Sequence, residues 1–261
     1  MNLSAFRQEL DPDKLTWLRE TPVFCFTSDI EWSPEWAIEE TLRFFFGASA
    51  PLTPFVTHDS SAVRARYGSA DLRRCVGVHP NFLPGSSHGA TTQEVVAHVQ
   101  TLWPEATGFR SHCFFDHTLI TREFRRAGFD HDSNLGLFLQ PGCEPLHHIS
   151  GMTRYPVFWE DDDHFGKGVP CESTWIRPYL DRPGLKVFNT HPLMFTLNVP
   201  DEAFFQAART LYELKEGDSW RARVHSGAGI RTFLEGVVEY AERRNYPMLY
   251  LHDLHRELTR K

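Results

Sequence analysis

The sequence predicts a single α/β domain in which helices cover a parallel sheet. Short apolar runs that suit buried strands alternate along the chain with amphipathic segments of helical spacing. No internal repeat, Ser/Gly linker or long charge block divides the 261 residues, so residues 1–261 are interpreted as one domain. In parallel β/α folds the functional residues gather where strands end and loops begin.

Eight short runs of apolar or β-branched residues are predicted as strands. Most of them are bounded by Gly, Pro, Ser or Asp, residues that are typical of turns. In chain order they are Val23–Ser28, Leu52–Thr57, Cys75–Val78, Phe129–Ser133, Leu135–Leu139, Met152–Trp159, Val187–Thr190 and Met248–Leu251.

Five segments are predicted as helices, and in the first and the last two of them apolar residues recur at helical spacing. The first follows Ser33 and Pro34, which suit an N-cap and a first helical position, and it stops at Gly47. The others are Thr92–Thr101, Thr118–Arg126, Asp201–Lys215 and Gly229–Arg244.

The composition limits which kinds of molecule the protein is expected to bind and in which cellular compartment it is expected to work. The 27 Lys and Arg residues against 34 Asp and Glu give a net charge of −7, which disfavours a nucleic-acid partner. The first thirteen residues contain no secretory apolar run, and no stretch approaches the roughly 20 apolar residues of a membrane span. Five scattered cysteines without a CxxC pair predict free thiols. A cytoplasmic protein is expected.

Two acids, Asp29 and Glu31, follow the first predicted strand. Separated by one residue, both can reach a site where the strand loosens into a loop, one as a metal ligand and the other as a base. The competing interpretation is two solvated acids that complement the dipole of the next helix.

Two histidines, His79 and His88, lie in the loop that follows the third predicted strand. Imidazoles and a carboxylate with open positions make a competent site for a catalytic ion such as Zn²⁺. Their spacing is not that of a helix, so a loop must bring them together. Ordinary loop histidines are the alternative.

Further polar side chains follow later strands. Arg110 and His112 end one short extended stretch, and His191 ends another. A neutral imidazole exchanges protons near pH 7, and an arginine can orient a carboxylate by a forked hydrogen bond. An acidic run, 160–163, lies between them beside Trp159, and one of its acids could orient a catalytic histidine.

The order of six motifs resembles that of the polysaccharide deacetylases, carbohydrate esterase family 4, and in particular intracellular members associated with lipopolysaccharide O-antigen biosynthesis. The motifs are FTSDIEW, PFVTHD, VGVHPNF with a following His, GFRSH, FDHDSN and NTHP. The resemblance implies a distorted (β/α) barrel with about seven parallel strands. It also implies hydrolysis of the acetamido group of an amino sugar with the help of a divalent metal, zinc in the first place.

Residue roles follow from the same resemblance. It implies that Asp29 is the base, that Arg110 orients it, and that His191 is the acid. It assigns the metal to Glu31, His79 and His88.

Two departures from the family pattern affect the metal site. The family usually has Asp where this chain has Glu31, and its histidines lie four residues apart, whereas His79 and His88 are nine apart. His112 or His58 could therefore replace His88.

The remaining assignments concern the substrate. Six residues are expected to bind it: Trp32, Asn81, Phe82, His112, Trp159 and Asp161, of which Trp32, Phe82 and Trp159 would wall the sugar ring. The expected substrate is a nucleotide-linked or lipid-linked amino sugar. The Ser226–Gly229 stretch with Arg221, Arg223 and Arg231 could hold an anionic carrier, although such helix starts more often bind nothing.

Two rival functions fit the same residues. One is hydrolysis of another small amide, such as a formyl sugar or a ureido compound, which acetate and formate assays would separate. The other is a carbohydrate-binding barrel that has lost turnover, motivated by Glu31 and the wide histidine spacing.

Overall fold

The computed structural model describes residues 10–213 and 220–259, in which nine strands form one sheet. Their bounds are β1 Pro22–Asp29, β2 Leu52–Val56, β3 Gly77–Val78, β4 Gly108–Phe109, β5 His131–Asp132, β6 Leu146–His147, β7 Thr153–Arg154, β8 Val157–Glu160 and β9 Gly184–Thr190. The strand order is β6-β7-β5-β4-β3-β2-β1-β9-β8. Every pair is parallel except β6 with β7.

The sheet curls round into an irregular barrel because β7 and β8 are nearly one strand. Only two residues separate them, yet β7 pairs with β5 and β8 pairs with β9 at the far end of the order. The backbone of Tyr155 donates to the carbonyl of Asp132 at 2.8 Å, and that of Val157 donates to Leu135 at 2.7 Å. With β7 and β8 counted together, seven parallel strands surround the interior, which confirms the predicted architecture.

Eleven α-helices lie in the described residues. They are α1 Pro12–Glu20, α2 Glu35–Gly47, α3 Ser61–Tyr67, α4 Thr92–Leu102, α5 Thr118–Arg126, α6 Asp161–Gly166, α7 Arg177–Leu180, α8 Pro192–Thr196, α9 Glu202–Ala208, α10 Ile230–Arg243 and α11 Leu251–Thr259. None of the helices in these ranges is long and apolar enough to cross a bilayer.

Alternation along β1 separates two cores. Phe24 and Phe26 belong to the larger core that the outer helices cover, whereas Val23 and Cys25 belong to a smaller inner core. Because strand side chains point alternately to opposite faces, Asp29 at the end of β1 continues the inner series. The site therefore sits on top of the inner core.

The other end of the barrel is where the sequence prediction was wrong. A strand was predicted over 248–251, but Met248 makes only an isolated bridge to Phe24, and helix α11 follows. Leu251, Leu254 and Leu258 of this helix are buried in the inner core at spacings of three and four. The apolar residues 248–251 run directly into the helix, so the helical spacing of its leucines was not recognised in the sequence.

Several elements are shorter than predicted, including β3 and β5, and two depart further. The predicted strand 135–139 retains one bridge, between Gly136 and Val157. The predicted helix 201–215 is α9 followed by a 3-10 helix to Glu213, and its last two residues lie outside the described ranges.

Candidate active site

The candidate site gathers polar side chains from the carboxyl ends of five strands. Asp29 ends β1, while His79, Arg110, Asp161 and His191 directly follow β3, β4, β8 and β9. All five are buried. Because these strands are parallel, their ends meet at one edge of the sheet, as the sequence predicts.

The carboxylate of Asp29 is fixed at both oxygens. Arg110 Nη1 donates to Oδ1 at 3.0 Å, and Asn189 Nδ2 donates to Oδ2 at 2.9 Å. Asp29 is buried, so these bonds compensate for much of the lost hydration. The carboxylate is thus oriented by the residue that the resemblance assigns to that task.

Arg110 is itself held by a dense set of acceptors. Its Nε and Nη2 donate to the carbonyl and the hydroxyl of Ser133 at 3.0 and 2.8 Å, and Nη1 donates to Asn189 Oδ1 at 2.6 Å. The guanidinium lies 4.5 Å from the ring centroid of Phe55, at the top of the inner core. A fully buried arginine with this many partners has one accessible orientation.

A carboxylate and two imidazoles form a cluster that suits a metal ion. One ligand atom each from Glu31, His79 and His112 lies within 4.8 Å of the others. Glu31 Oε1 lies 2.6 Å from His112 Nδ1 and 3.5 Å from His79 Nε2. Both ring nitrogens of the buried His79 have no hydrogen-bond partner among the described residues, which is costly unless a ligand occupies them. These residues fit a catalytic zinc site with an open position.

Electrostatics keeps the Glu31 carboxylate ionised. Burial alone would raise the pKa of Glu31, but His191, His112 and His79 together lower it well below its usual value. In turn, the hydrogen bond with Glu31 raises the pKa of His112. An ionised carboxylate is the form that binds a cation.

The backbone around the cluster adopts an uncommon conformation. Glu31 and Trp32 have φ of 37° and 51°, and Cys113 and Phe114 beside His112 have φ of 55° and 50°. Non-glycine residues seldom occupy this left-handed region, and it persists where surrounding contacts enforce it. The two loops that carry Glu31 and His112 are both built this way.

His191 is positioned by an acid from the run at 160–163. Asp161 Oδ1 lies 2.7 Å from His191 Nδ1, and Oδ2 accepts from the His191 backbone and from Thr190 Oγ1 at 2.7 and 2.8 Å. Burial alone would lower the pKa of His191, but Asp161 and Glu31 raise it well above its usual value. Nε2 faces the cluster, 3.8 Å from Glu31 Oε1.

Two further acids lie beside His191. Glu160, Asp162 and His191 also bring ligand atoms within 4.8 Å of one another. Burial is the main cause that raises the pKa of Glu160 to about 8 and that of Asp162 to about 6. Glu160 is half-buried, and the sequence did not single it out among the acids of the run at 160–163.

The structure does not bring His88 into the cluster of Glu31, His79 and His112. Its Nδ1 accepts from the backbone of Asn81 at 3.0 Å, and its Nε2 donates to the carbonyl of Thr57 at 2.8 Å. Both nitrogens therefore brace the loop. His58 is also outside the cluster, since its Nδ1 pairs with Thr57 Oγ1 at 2.9 Å. His112, expected to bind substrate, takes the third position.

Trp159 and Asp161 do not fit the expected substrate contacts. Trp159 is fully buried, donates to His164 Nδ1 at 3.2 Å and stacks on Phe233 with ring centroids 4.9 Å apart. Asp161 is fully buried with both oxygens committed to His191 and Thr190. Both side chains support the site from behind.

Exposed rings at the mouth come from two loops. Trp32 is 38% exposed and meets His112 edge to face, with centroids 5.6 Å apart. Phe115, which sequence reasoning missed, is 41% exposed and stacks with Phe82. The amide oxygen of Asn81 accepts from the Leu83 backbone and so shapes its own loop.

Sequence reasoning also missed Ser133 and Asn189, the partners of Arg110 and Asp29. Both lie in motifs that end strands, FDHDSN and NTHP. Strand-end position was therefore an available signal, but small polar side chains carry no chemistry that singles them out.

Asp161→Asn is expected to lower kcat and to move the basic limb of the pH–rate profile toward lower pH. The carboxylate stabilises the imidazolium of His191, so its loss lowers the pKa of that histidine, and the protonated form is lost at lower pH. Asp163→Asn is the matched control, because Asp163 is exposed and pairs with Lys167. Unchanged profiles for both variants would contradict the positioning role.

A family model and a solved structure that resemble this chain are both described as polysaccharide deacetylases. The family model described as WbmS-like, polysaccharide deacetylase, matches residues 26–209. A solved structure of a polysaccharide deacetylase involved in O-antigen biosynthesis, from Bordetella bronchiseptica, has a TM-score of 0.78 at 24% identity, covering 89% of this chain and 95% of that one. This likeness supports the fold.

More distant structures resemble the chain weakly. A polysaccharide deacetylase from Mycobacterium smegmatis has a TM-score of 0.48 at 13% identity, with 88% of this chain and 93% of that one covered. A 4-alpha-glucanotransferase from Thermococcus litoralis has 0.49 at 9% identity, with 92% and 38% covered. No curated protein matches the sequence.

Proposed function

Because the chain belongs to the WbmS-like polysaccharide deacetylases, a family of amide-bond hydrolases, we propose that it is a metal-dependent N-deacetylase of an amino sugar. One observation carries the proposal. A doubly oriented carboxylate, Asp29, lies 3.6 Å from His79 Nδ1, and the other nitrogen of that ring faces Glu31. The imidazole of His79 therefore lies between the proposed base, Asp29, and the proposed metal ligand Glu31.

Glu31, His79 and His112 would hold the ion, and their donor set favours zinc. When bound, such an ion polarises an amide carbonyl and lowers the pKa of a water from about 15.7 toward 7. The chain's own residues supply the proton transfers and the orientation.

Asp29 takes the proton of the attacking water, since Arg110 and Asn189 hold its two carboxylate oxygens in a fixed orientation at the site. His191 then protonates the departing amine. Asp161 keeps the imidazole in position and stabilises its charged form until the C–N bond breaks.

The substrate class follows from the mouth of the site. Trp32 and Phe115 offer exposed rings on which a sugar can pack. The Bordetella structure is described as taking part in O-antigen biosynthesis, and we assign this chain to surface-polysaccharide synthesis too. All five cysteines are free thiols, three of them buried, which favours the cytoplasm as its compartment.

Part of the stretch that the sequence offered for an anionic carrier, a nucleotide or a lipid, is engaged in contacts within the protein. At the start of α10, Asn198 Oδ1 accepts from the Thr232 backbone at 3.1 Å, and Gly229 N donates to Thr232 Oγ1 at 2.9 Å. Arg231 pairs with Glu40 and Glu235 at 3.1 and 2.9 Å. Arg231 and the start of α10 are therefore engaged, whereas Arg221 and Arg223 are exposed, and binding of a carrier there stays a prediction.

The test is release of acetate by the zinc-loaded protein. Nucleotide-linked N-acetyl amino sugars are expected to be deacetylated in preference to a chitin oligomer, and their N-formyl analogues to react more slowly. Formate release exceeding acetate release would favour the rival amide hydrolase. Sugar binding without metal and without any release would establish an inactive binding barrel and refute the deacetylase.

A further inference from the structure

We propose that Asp130, His131 and His255 form a second divalent-metal site, independent of the proposed catalytic function, at the amino end of the sheet. The ion would be of the class that imidazole and carboxylate ligands favour, with zinc as the leading candidate. One ligand atom from each residue lies within 4.8 Å of the others.

The cluster lies away from the catalytic edge. Asp130 and His131 enter β5, whereas the catalytic residues follow the carboxyl ends of their strands. His255 lies on α11, the helix whose leucines pack into the inner core from the opposite side. His252 is one turn earlier on the same helix, and its ring centroid is 6.3 Å from that of His131.

The distances around Asp130 approach those of a coordination sphere. A tetrahedral zinc ion with bonds of about 2.0 to 2.2 Å holds its ligand atoms about 3.4 Å apart. Asp130 Oδ1 lies 3.5 Å from His255 Nε2, and 2.6 Å from His131 Nδ1. Binding would replace the short Asp130–His131 hydrogen bond and widen that pair by less than 1 Å.

Two buried imidazole nitrogens point to a missing partner. His255 and His252 are 1% and 5% exposed, and Nε2 of each has no hydrogen-bond partner within the described ranges. Buried polar atoms are rarely left unpaired. The other nitrogen of His255 pairs with Tyr155 Oη at 2.8 Å. Metal-ligating histidines commonly use their second nitrogen in this way.

The protonation states suit ligation. Burial is the main cause that lowers the pKa of His255 to about 3 and of His252 to about 4, so both rings are neutral near pH 7. Burial opposes ionisation of Asp130, but its hydrogen bond with His131 and the neighbouring histidines hold its pKa at about 2. Neutral imidazole and ionised carboxylate are the forms that bind a cation.

Packing fixes the His131 ring in the orientation that the site requires. A Cβ built on Gly108 would lie 2.3 Å from Nε2 of His131. The absence of a side chain at position 108 therefore leaves room for that edge of the ring, while Nδ1 faces Asp130. An ion here would tie α11 to β5 and close the lower end of the barrel.

The test counts zinc ions per chain in the full-length protein after dialysis against zinc, by elemental analysis. The wild type is expected to bind two, and His255→Gln, which nearly preserves volume, is expected to bind one. Asp130→Asn, at a partly exposed position, is also expected to bind one and guards against a folding defect in the first variant. His148→Ala, a histidine outside the three clusters, is the control and should bind two.

A background lacking the catalytic site separates the two ions. In His79→Ala, zinc at about 100 times its dissociation constant should raise Tm by roughly 5 to 10 °C, and adding His255→Gln should abolish that rise. A single ion in the wild type with no change in His255→Gln or Asp130→Asn would overturn the proposal and assign the unpaired nitrogens to buried water.

Discussion

Asp29→Asn is expected to lower kcat by about 10² to 10⁴ while the protein keeps its fold and its bound metal. The amide is nearly the same size and can still bond to Arg110, but it cannot take a proton from water. Since binding of the sugar uses other groups, KM should change little. The measurement is steady-state acetate release beside the zinc content and the thermal unfolding curve.

The control for this variant is Asp59→Asn. Asp59 also follows a parallel strand, β2, but it is exposed and pairs with Arg64 outside the metal cluster. Its activity should equal that of the parent. If Asp29→Asn turned over substrate at the parental rate, another group would be the base, and Glu160 beside Asp29 would be the next candidate.

The strand-end residues could be predicted from sequence because their positions follow from one rule. Buried apolar strands are easy to recognise, and in a parallel sheet their carboxyl ends converge. Asp29, Arg110 and His191 therefore came together in the structure without any knowledge of long-range contacts. Their roles came from the family resemblance.

The metal cluster was harder because a loop spacing does not fix a distance. His88 follows the strand of His79 by nine residues, and the loop turns so that its ring pairs with backbone groups. His112 is farther away in sequence but follows the adjacent strand β4, whose end lies beside that of β3. Adjacency of strands in the sheet identified the third residue of the cluster better than spacing within one loop did. That adjacency depends on the strand order, which the sequence alone does not give.

The lower end of the barrel could not be read from sequence for a related reason. The residues of α11 include two histidines at positions three apart, which resemble an ordinary half-exposed helix face. Only the closure of the barrel buries them against Asp130 and Tyr155. When an element from a remote part of the chain buries a residue, its surroundings and possible role change, although the local sequence pattern stays the same.

His79→Ala and His112→Ala are each expected to lose one zinc ion per chain and to lower acetate release by at least about 10²-fold, whereas His88→Ala should keep the ion. The first two rings face Glu31 in the cluster, while both nitrogens of His88 already bond to the loop. Losing either ligand removes the charge that polarises the substrate carbonyl, but losing His88 costs only loop contacts. Elemental analysis, unfolding curves and turnover of the three alanine variants make the comparison direct. Zinc lost from His88→Ala and retained in His112→Ala would restore the ligand set that the family resemblance implies, and the loop between His79 and His88 would then have to refold around the ion.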